Sequence, residues 1–164
     1  TDRADLVGKA ISILANKAGI YGMIGGQSVD VEYTDRPVTK SQLEFIYELK
    51  TAALLEAAMM IGAVLAGADD NQVKAAEQIA HHVGMAFQIR DDILDVISTT
   101  EELGKPVKGD EKNNKTTYVT IYGLDGASKL VEEYSHTAMT LLDQVCPNAS
   151  FLKRLFEYLI VRKK

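Results

Sequence analysis

The sequence contains no tryptophan, one cysteine and three prolines in 164 residues. A single cysteine excludes a disulfide within the chain and fits a reducing compartment, so we expect a cytoplasmic protein. Scarce proline, together with abundant alanine and leucine, favours helices, because proline breaks a helix interior whereas alanine stabilises it. The composition therefore predicts a protein built from helices.

Long apolar runs and an excess of positive charge are also missing. The longest apolar run, 57-AAMMIGAVLAGA-68, is too short to cross a bilayer, which takes about 20 apolar residues. The formal net charge is −5 at pH 7, so nothing indicates a surface that binds nucleic acid. Apolar residues make up 46% of the chain, enough for one domain with its own core. We expect neither a membrane span nor a nucleic-acid partner.

Apolar residues that recur at steps of three and four indicate helices along most of the chain. The spacing of Thr39 and Gln42 predicts a capping box at the start of one helix, and Asp69 or Asp70 can cap the next. The segment 117-TYVTIY-122 could also be a strand, but its helical neighbours favour a helix. The predicted helices cover residues 3–29, 40–66, 70–98, 115–122, 125–145 and 149–162, as one all-α domain over residues 1–164.

Three aspartates lie close together in the otherwise apolar stretch 88-QIRDDILDV-96. Successive residues of a helix are rotated by about 100°, so Asp91 and Asp95 share a face with Gln88, and Asp92 lies beside it. Carboxylates at this density repel each other unless a cation lies between them, and Mg²⁺ prefers such oxygen ligands. Taken alone, the stretch also fits a solvated acidic face with an arginine as its ion-pair partner.

Lysines are frequent just after these aspartates, in the polar loop 104-GKPVKGDEKNNK-115. A basic loop beside an acidic helix face suits a diphosphate, because a metal ion joins carboxylates to phosphate and lysines bind the remaining oxygens. Lys50 precedes the apolar stretch 52–68 and either extends to the surface or is held near a buried anion. The sequence leaves both possibilities open for Lys50.

Several separated motifs resemble those of the trans-isoprenyl diphosphate synthases. They are 19-GIYGMIGGQSVDVE-32, 48-ELKTAALLEAA-58, 84-GMAFQIRDDILDV-96, 103-LGKP-106 and 114-NKTTY-118, in the order and at the spacing of that family. The third of them resembles the second aspartate-rich motif of the family. Within the family, the chain looks most like the bacterial farnesyl diphosphate synthases (geranyltranstransferases).

The resemblance implies an all-α fold with a central cavity between long helices, and a Mg²⁺-dependent condensation of an allylic diphosphate with isopentenyl diphosphate. By the resemblance, Asp91, Asp92 and Asp95 would hold the metal, and Asp91, Asp92 and Lys50 would be catalytic. The allylic substrate would contact Lys50, Thr51, Gln88, Lys105, Lys115, Gln27 and Asp30. The intact enzyme would be a homodimer. His81, Tyr118 and Tyr122 could approach the cavity, but packing or surface roles are favoured for them.

Half of the family's pattern has no counterpart in the chain. The first aspartate-rich motif is absent, since the doublet Asp69-Asp70 lacks a third acid at the right step. The basic residues that would bind isopentenyl diphosphate are absent too. The chain starts at Thr1 inside a helical pattern, so we expect the C-terminal part of a synthase, with N-terminal helices missing and inactive alone. The alternatives are a non-catalytic partner subunit of a heteromeric prenyl synthase, a terpene cyclase or head-to-head synthase, and a helical bundle with an acidic surface.

Overall fold

The computed structural model describes residues 3–97 and 116–161, and every regular element in these ranges is helical. The helices are α1 Ala4–Ala18, α2 Met23–Glu32, α3 Lys40–Tyr47, α4 Ala53–Leu65, α5 Asp70–Ile97, α6 Tyr118–Val145 and α7 Ser150–Val161. The prediction of an all-α protein is confirmed. In the described part of the chain, no helix has both the length and the apolar character that crossing a membrane requires.

The prediction of one helix from residue 3 to about 29 is wrong, because α1 ends at Ala18 and α2 begins at Met23. The amide of Gly22 donates a hydrogen bond to the carbonyl oxygen of Gly19 over 3.0 Å, which closes a tight turn. A Cβ on Gly22 would collide with the carbonyl of Lys17, so this approach requires glycine. The turn lets α1 pack on α4 while α2 packs beside α3.

Side-chain caps define where α3 and α5 begin. Thr39 Oγ1 accepts a hydrogen bond from the Gln42 amide over 3.3 Å, and Gln42 Oε1 accepts one from the Thr39 amide over 2.8 Å. This confirms the predicted capping box. Asp69 caps α5 in the same way, since its Oδ1 accepts from the amide of Gln72 over 2.9 Å. Gly67, with φ 86°, turns the chain between α4 and α5.

The helix predicted over residues 40–66 is interrupted at Glu48–Ala52, where five residues form a π-helical turn between α3 and α4. A π-helical turn closes each hydrogen bond over one more residue than an α-helical turn does. Side chains on its two sides are therefore shifted around the helix axis. Such turns are frequent at functional sites, and Lys50 and Thr51 lie in this one.

The central helix is α5, which packs against α4 and α6. Several of its buried apolar residues recur at three- and four-residue steps and belong to two core clusters. One cluster contains Leu43, Ile46, Tyr47, Met85, Ile89, Ile93, Tyr118 and Val131, and the other contains Ile79, Val83, Leu142 and Phe156. The predicted helices that end at 122 and begin at 125 correspond to the two parts of α6, which are separated by a non-helical backbone at Gly123 with φ 71°. The helical assignment of 118–122 is thus confirmed.

Candidate active site

Two glycines let neighbouring helices reach the π-helical turn at backbone contact. A Cβ on Gly26 of α2 would collide with the backbone nitrogen of Lys50. A Cβ on Gly84 of α5 would lie 2.7 Å from Cα of Ala52, closer than packed atoms approach. The helices α2 and α5 therefore meet the turn from two sides, which brings predicted site residues of three elements together.

Four of the predicted site residues line one small cavity, which we call the Lys50 cavity. Its walls are Asp30, Ile46, Tyr47, Lys50, Thr51 and Gln88, and its volume of about 30 Å³ suits a single water molecule. Lys50 Nζ donates a hydrogen bond to Asp30 Oδ2 over 2.5 Å. Thr51 Oγ1 donates to Gln88 Oε1 over 2.8 Å. The site residues of the π-helical turn thus have partners on α2 and on α5.

The charge of Lys50 decides what the Lys50 cavity can bind. The Lys50 side chain is 36% exposed, and the Asp30 side chain is more enclosed at 16%. A partly desolvated ammonium gains more from an anion than a fully exposed one, because the local dielectric constant is lower. Phosphate oxygens that entered the cavity would compete with Asp30 for this ammonium.

Asp91 and Asp95 are half-buried and lie one turn apart on α5, on the side of Gln88. Within residues 3–97 and 116–161, no three histidine, cysteine, aspartate or glutamate side chains lie close enough together to bind a metal by themselves. Two carboxylates plus phosphate oxygens are nevertheless a usual ligand set for Mg²⁺, which keeps several waters. The donor set therefore fits Mg²⁺ in the company of a diphosphate.

Asp92 faces the protein interior, with 4% of its surface exposed. The Tyr47 hydroxyl donates to its carboxylate and lies 2.8 Å from each oxygen. The backbone amide of Tyr118 donates to Asp92 Oδ2 over 3.0 Å. No sequence pattern points to Tyr47, which is 45 positions away from Asp92 along the chain.

Tyr118 has a packing role, as the sequence favoured. Its ring lies 5.3 Å from the ring of Tyr47 and 5.8 Å from the ring of Tyr122, measured between centroids. Burial raises the pKa of the Tyr118 phenol well above its ordinary value. The phenol is therefore neutral and acts as a large apolar contact between α3 and α6.

The remaining predicted site residues do not line the Lys50 cavity. Gln27 lines a separate, mostly apolar groove along α2. Lys105 and Lys115, together with the predicted polar loop that contains them, lie outside the described residues. Their contacts with an allylic diphosphate stay predictions.

A family model described as polyprenyl synthetase matches residues 7–149. The chain belongs to this family. The polyprenyl synthetase chain is 37% identical over 154 residues to farnesyl diphosphate synthase of Geobacillus stearothermophilus, covering 94% of this chain and 52% of that protein. It is 42% identical over 130 residues to geranylgeranyl diphosphate synthase of Cyanophora paradoxa, covering 79% of this chain and 43% of that protein.

The chain also resembles solved structures of related enzymes over nearly its whole length. It resembles a geranyltransferase of Helicobacter pylori, complexed with magnesium and isoprenyl diphosphate, with a TM-score of 0.77 and 31% sequence identity. The match covers 95% of this chain and 51% of that one. The fold implied by the sequence resemblance is thus confirmed, and the chain spans about half the length of these relatives.

An ionic cluster that no sequence pattern predicted joins α1, α4 and α5 of the polyprenyl synthetase chain. The ionic cluster consists of Lys17, Glu56, Glu77 and His81. Lys17 Nζ contacts the Glu56 carboxylate and lies 2.6 Å from Glu77 Oε1. His81 Nδ1 lies 3.1 Å from Glu56 Oε1. His81 is therefore a partly buried ion-pair partner of Glu56. It lines a different pocket and does not line the Lys50 cavity.

The ionic cluster shifts the protonation of its members. Burial alone would raise the pKa of Glu56, but hydrogen bonds from His81 and Lys17 bring it below its ordinary value. The hydrogen bond to Glu56 raises the pKa of His81. Local sequence patterns could not reveal this, since Lys17 and Glu77 are 60 positions apart.

Proposed function

We propose that the chain is the C-terminal part of a trans-prenyltransferase of isoprenoid biosynthesis, which condenses an allylic diphosphate with isopentenyl diphosphate. The observation that carries the proposal is the Lys50 cavity. There, a carboxylate of α2, an ammonium and a hydroxyl of the π-helical turn, and an amide of α5 converge. Asp91 and Asp95 lie on α5 as well, half-buried. Similarity to farnesyl diphosphate synthases supports a farnesyl product.

Lys50 and Thr51 bind oxygens of the allylic diphosphate in this proposal. The Lys50 ammonium neutralises the charge that develops on the diphosphate as its bond to the allylic carbon breaks, and an interaction that strengthens toward the transition state accelerates the step. Thr51 donates its hydroxyl proton to Gln88, so the same proton can turn to a phosphate oxygen. Gln27 and Asp30 face the allylic substrate from α2, and Lys105 and Lys115 add diphosphate contacts.

Mg²⁺ is the proposed cofactor, with Asp91 and Asp95 as its ligands from this chain. When bound, Mg²⁺ neutralises the leaving diphosphate as a Lewis acid. The prediction that Asp92 is a further direct ligand is not part of this proposal. Both of its oxygens already accept hydrogen bonds inside the protein, from Tyr47 and from the Tyr118 amide.

Prenyl transfer, the isopentenyl diphosphate site and a homodimeric assembly are proposed for a longer, cytoplasmic protein, because the chain spans about half the length of its relatives. The 164 residues alone would bind a diphosphate without transferring a prenyl group. The half-length match also fits a second candidate, a non-catalytic partner subunit of a heteromeric prenyl synthase. The two differ in whether one polypeptide also carries a first aspartate-rich motif.

Titration calorimetry of the chain with inorganic pyrophosphate, with and without Mg²⁺, tests the diphosphate site. Lys50→Ala should weaken binding by about tenfold or more, since a hydrogen bond to a charged group contributes roughly 1.5–3 kcal/mol. Lys129→Ala is the matched control, because Lys129 is an exposed lysine on α6. The proposal would be overturned if the two variants bound pyrophosphate with equal affinity, or if the affinity did not depend on Mg²⁺. If the isolated chain turned over labelled isopentenyl diphosphate, only the prediction that it is inactive alone would be overturned.

A further inference from the structure

The Asp92 carboxylate joins three helices at one buried point. It belongs to α5, and its two oxygens accept from the hydroxyl of Tyr47 and the amide of Tyr118. Tyr47 is the last residue of α3, and Tyr118 is the first of α6. Its contacts are therefore made where α3 ends and where α6 begins.

A carboxylate in this position needs its hydrogen-bond donors. With 4% of its surface exposed, Asp92 has exchanged water for protein donors, and an ionised acid is costly to bury without them. Hydrogen bonds to a carboxylate are short and strong because the acceptor carries a charge. A metal bound to the same oxygens would have to displace or share these donors.

The contact with Tyr118 also stabilises the start of α6. The first amides of a helix have no partner within the helix, and the positive end of the helix dipole favours an acid there. Thr117 and Thr120 form a capping box at this end, and Asp92 accepts from the amide between them. The side chain of a neighbouring helix thus completes the cap of α6.

The same contact extends to the Lys50 cavity through Tyr47. Tyr47 lines that cavity and directly precedes the π-helical turn that carries Lys50 and Thr51. Asp92 itself lies next to Asp91 and three residues before Asp95 on α5. One carboxylate therefore couples the acids of α5 to the lysine and threonine of the turn.

We infer that Asp92 is a positioning residue rather than a metal ligand: through Tyr47 and the start of α6, it holds Asp91 and Asp95 in register with Lys50 and Thr51. The inference rests on the proposed function, since it concerns how that site is assembled. It divides the aspartate-rich stretch into two acids that face the ligand and one that faces the protein.

The test compares the Mn²⁺ affinity of four variants of the chain in the presence of inorganic pyrophosphate. Electron paramagnetic resonance measures the binding. Asp91→Asn, the ligand variant, should lose at least about tenfold in affinity. Asp92→Asn should stay within about threefold of the unmodified chain, because its amide can still accept from the Tyr118 amide and donate to the Tyr47 oxygen. Asp92→Ala and Tyr47→Phe should each lose about tenfold, although Tyr47 binds no metal.

A double-variant cycle shows whether Tyr47 acts through Asp92. The variant with both Tyr47→Phe and Asp92→Ala should bind no more weakly than Asp92→Ala alone, since both changes remove one interaction. If Asp92→Ala fails to fold, as judged by circular dichroism, the Asp92→Asn and Tyr47→Phe variants still decide the matter. They differ from the native chain by one or two atoms.

Two results have different meanings. If Asp92→Asn loses as much affinity as Asp91→Asn while Tyr47→Phe binds normally, Asp92 is a direct ligand and the positioning role is overturned. The proposed function would survive that result. If the unmodified chain shows no Mn²⁺–pyrophosphate binding, the proposed function fails, and the positioning role falls with it.

Discussion

Lys50 Nζ and Asp30 Oδ2 lie 2.5 Å apart across the contact between the π-helical turn and α2. The acid has two opposing effects on an anion that places an oxygen in the Lys50 cavity, because it orders the lysine and also repels the anion. Two unit charges 4 Å apart interact by about 4 kcal/mol at an effective dielectric constant of 20. Fixing one lysine side chain costs at most about 2 kcal/mol. Repulsion is therefore the larger effect of Asp30.

Because the pair is partly exposed and solvent screens the repulsion, we expect Asp30→Asn to bind pyrophosphate several-fold more tightly than the unmodified chain. Asparagine keeps an acceptor for Lys50 and removes the negative charge. Glu32→Gln is the matched control, since it removes the same charge from an exposed position of α2 and should leave affinity unchanged at about 0.15 M salt. Calorimetry at this salt measures both. Weaker binding by Asp30→Asn would mean that ordering of Lys50 outweighs repulsion.

The stability contributed by His81 should fall as the pH rises. Its pKa is raised by the hydrogen bond to Glu56, against the opposing effects of burial and of Lys17, and Glu48 adds to the increase. A raised pKa in the folded state means that protonated His81 stabilises the fold fully below its ordinary pKa of 6.5. This contribution is lost as the pH passes upward through the folded-state pKa.

Urea unfolding of the unmodified chain and of His81→Gln, at pH 6 and pH 9, measures this contribution. The unfolding free energy lost on His81→Gln should be about 1 kcal/mol larger at pH 6 than at pH 9. This figure allows for the partial exposure of the ion pair of His81 with Glu56. His136→Gln, at an exposed histidine of α6, should show no such change. A difference that stays constant or grows with pH would contradict the ion pair.

Gly84→Ala should destabilise the protein by about 1–3 kcal/mol, the usual range for overpacking. The new Cβ would lie 2.7 Å from both Cα and Cβ of Ala52, so α5 and the π-helical turn must move apart. Gly62→Ala is the matched control, because a Cβ there meets nothing within 4 Å. It should stabilise α4 by about 0.5–1 kcal/mol through helix propensity. Equal effects of the two substitutions in urea would rule out the close contact at Gly84.

Burial decides how much each lysine of α1 contributes. Lys17 pairs with Glu56, whose side chain is 9% exposed, whereas Lys9 pairs with Asp70, whose side chain is 91% exposed. Lys17→Met leaves a buried carboxylate with one partner fewer, so we expect a loss of about 2 kcal/mol in unfolding free energy. Lys9→Met should have a much smaller effect, because solvent screens its ion pair with the exposed Asp70. Thermal or urea unfolding of both variants makes the comparison, and similar losses would refute it.

Local features of the fold could be predicted from the sequence. The capping box of Thr39 and Gln42 involves residues three positions apart, and apolar steps of three and four mark α5 and α6. The break between α1 and α2 could not be predicted, because the glycines there weaken a helix without fixing where it stops. The π-helical turn could not be predicted either, because one extra residue barely disturbs the apolar pattern of the helix around it.

The candidate site divides in the same way. The helical pattern drew attention to Lys50 and Gln88, and the resemblance added Thr51 and Asp30. The structure brings these four together at one cavity. Their joint ligand is still a prediction. Tyr47 and the ionic cluster were missed because their partners lie tens of positions away along the chain, where sequence periodicity has no information. Only packing brings such residues into contact.

The backbone contacts of Gly26 and Gly84 with the π-helical turn affect the entropy of binding. Segments in backbone contact have few alternative positions, so the polar groups of the Lys50 cavity are already fixed before a ligand arrives. The entropic cost of ordering them is part of the folding free energy and would not reduce the affinity for the proposed diphosphate. A site preorganised in this way can stabilise a leaving group from the moment its bond begins to lengthen.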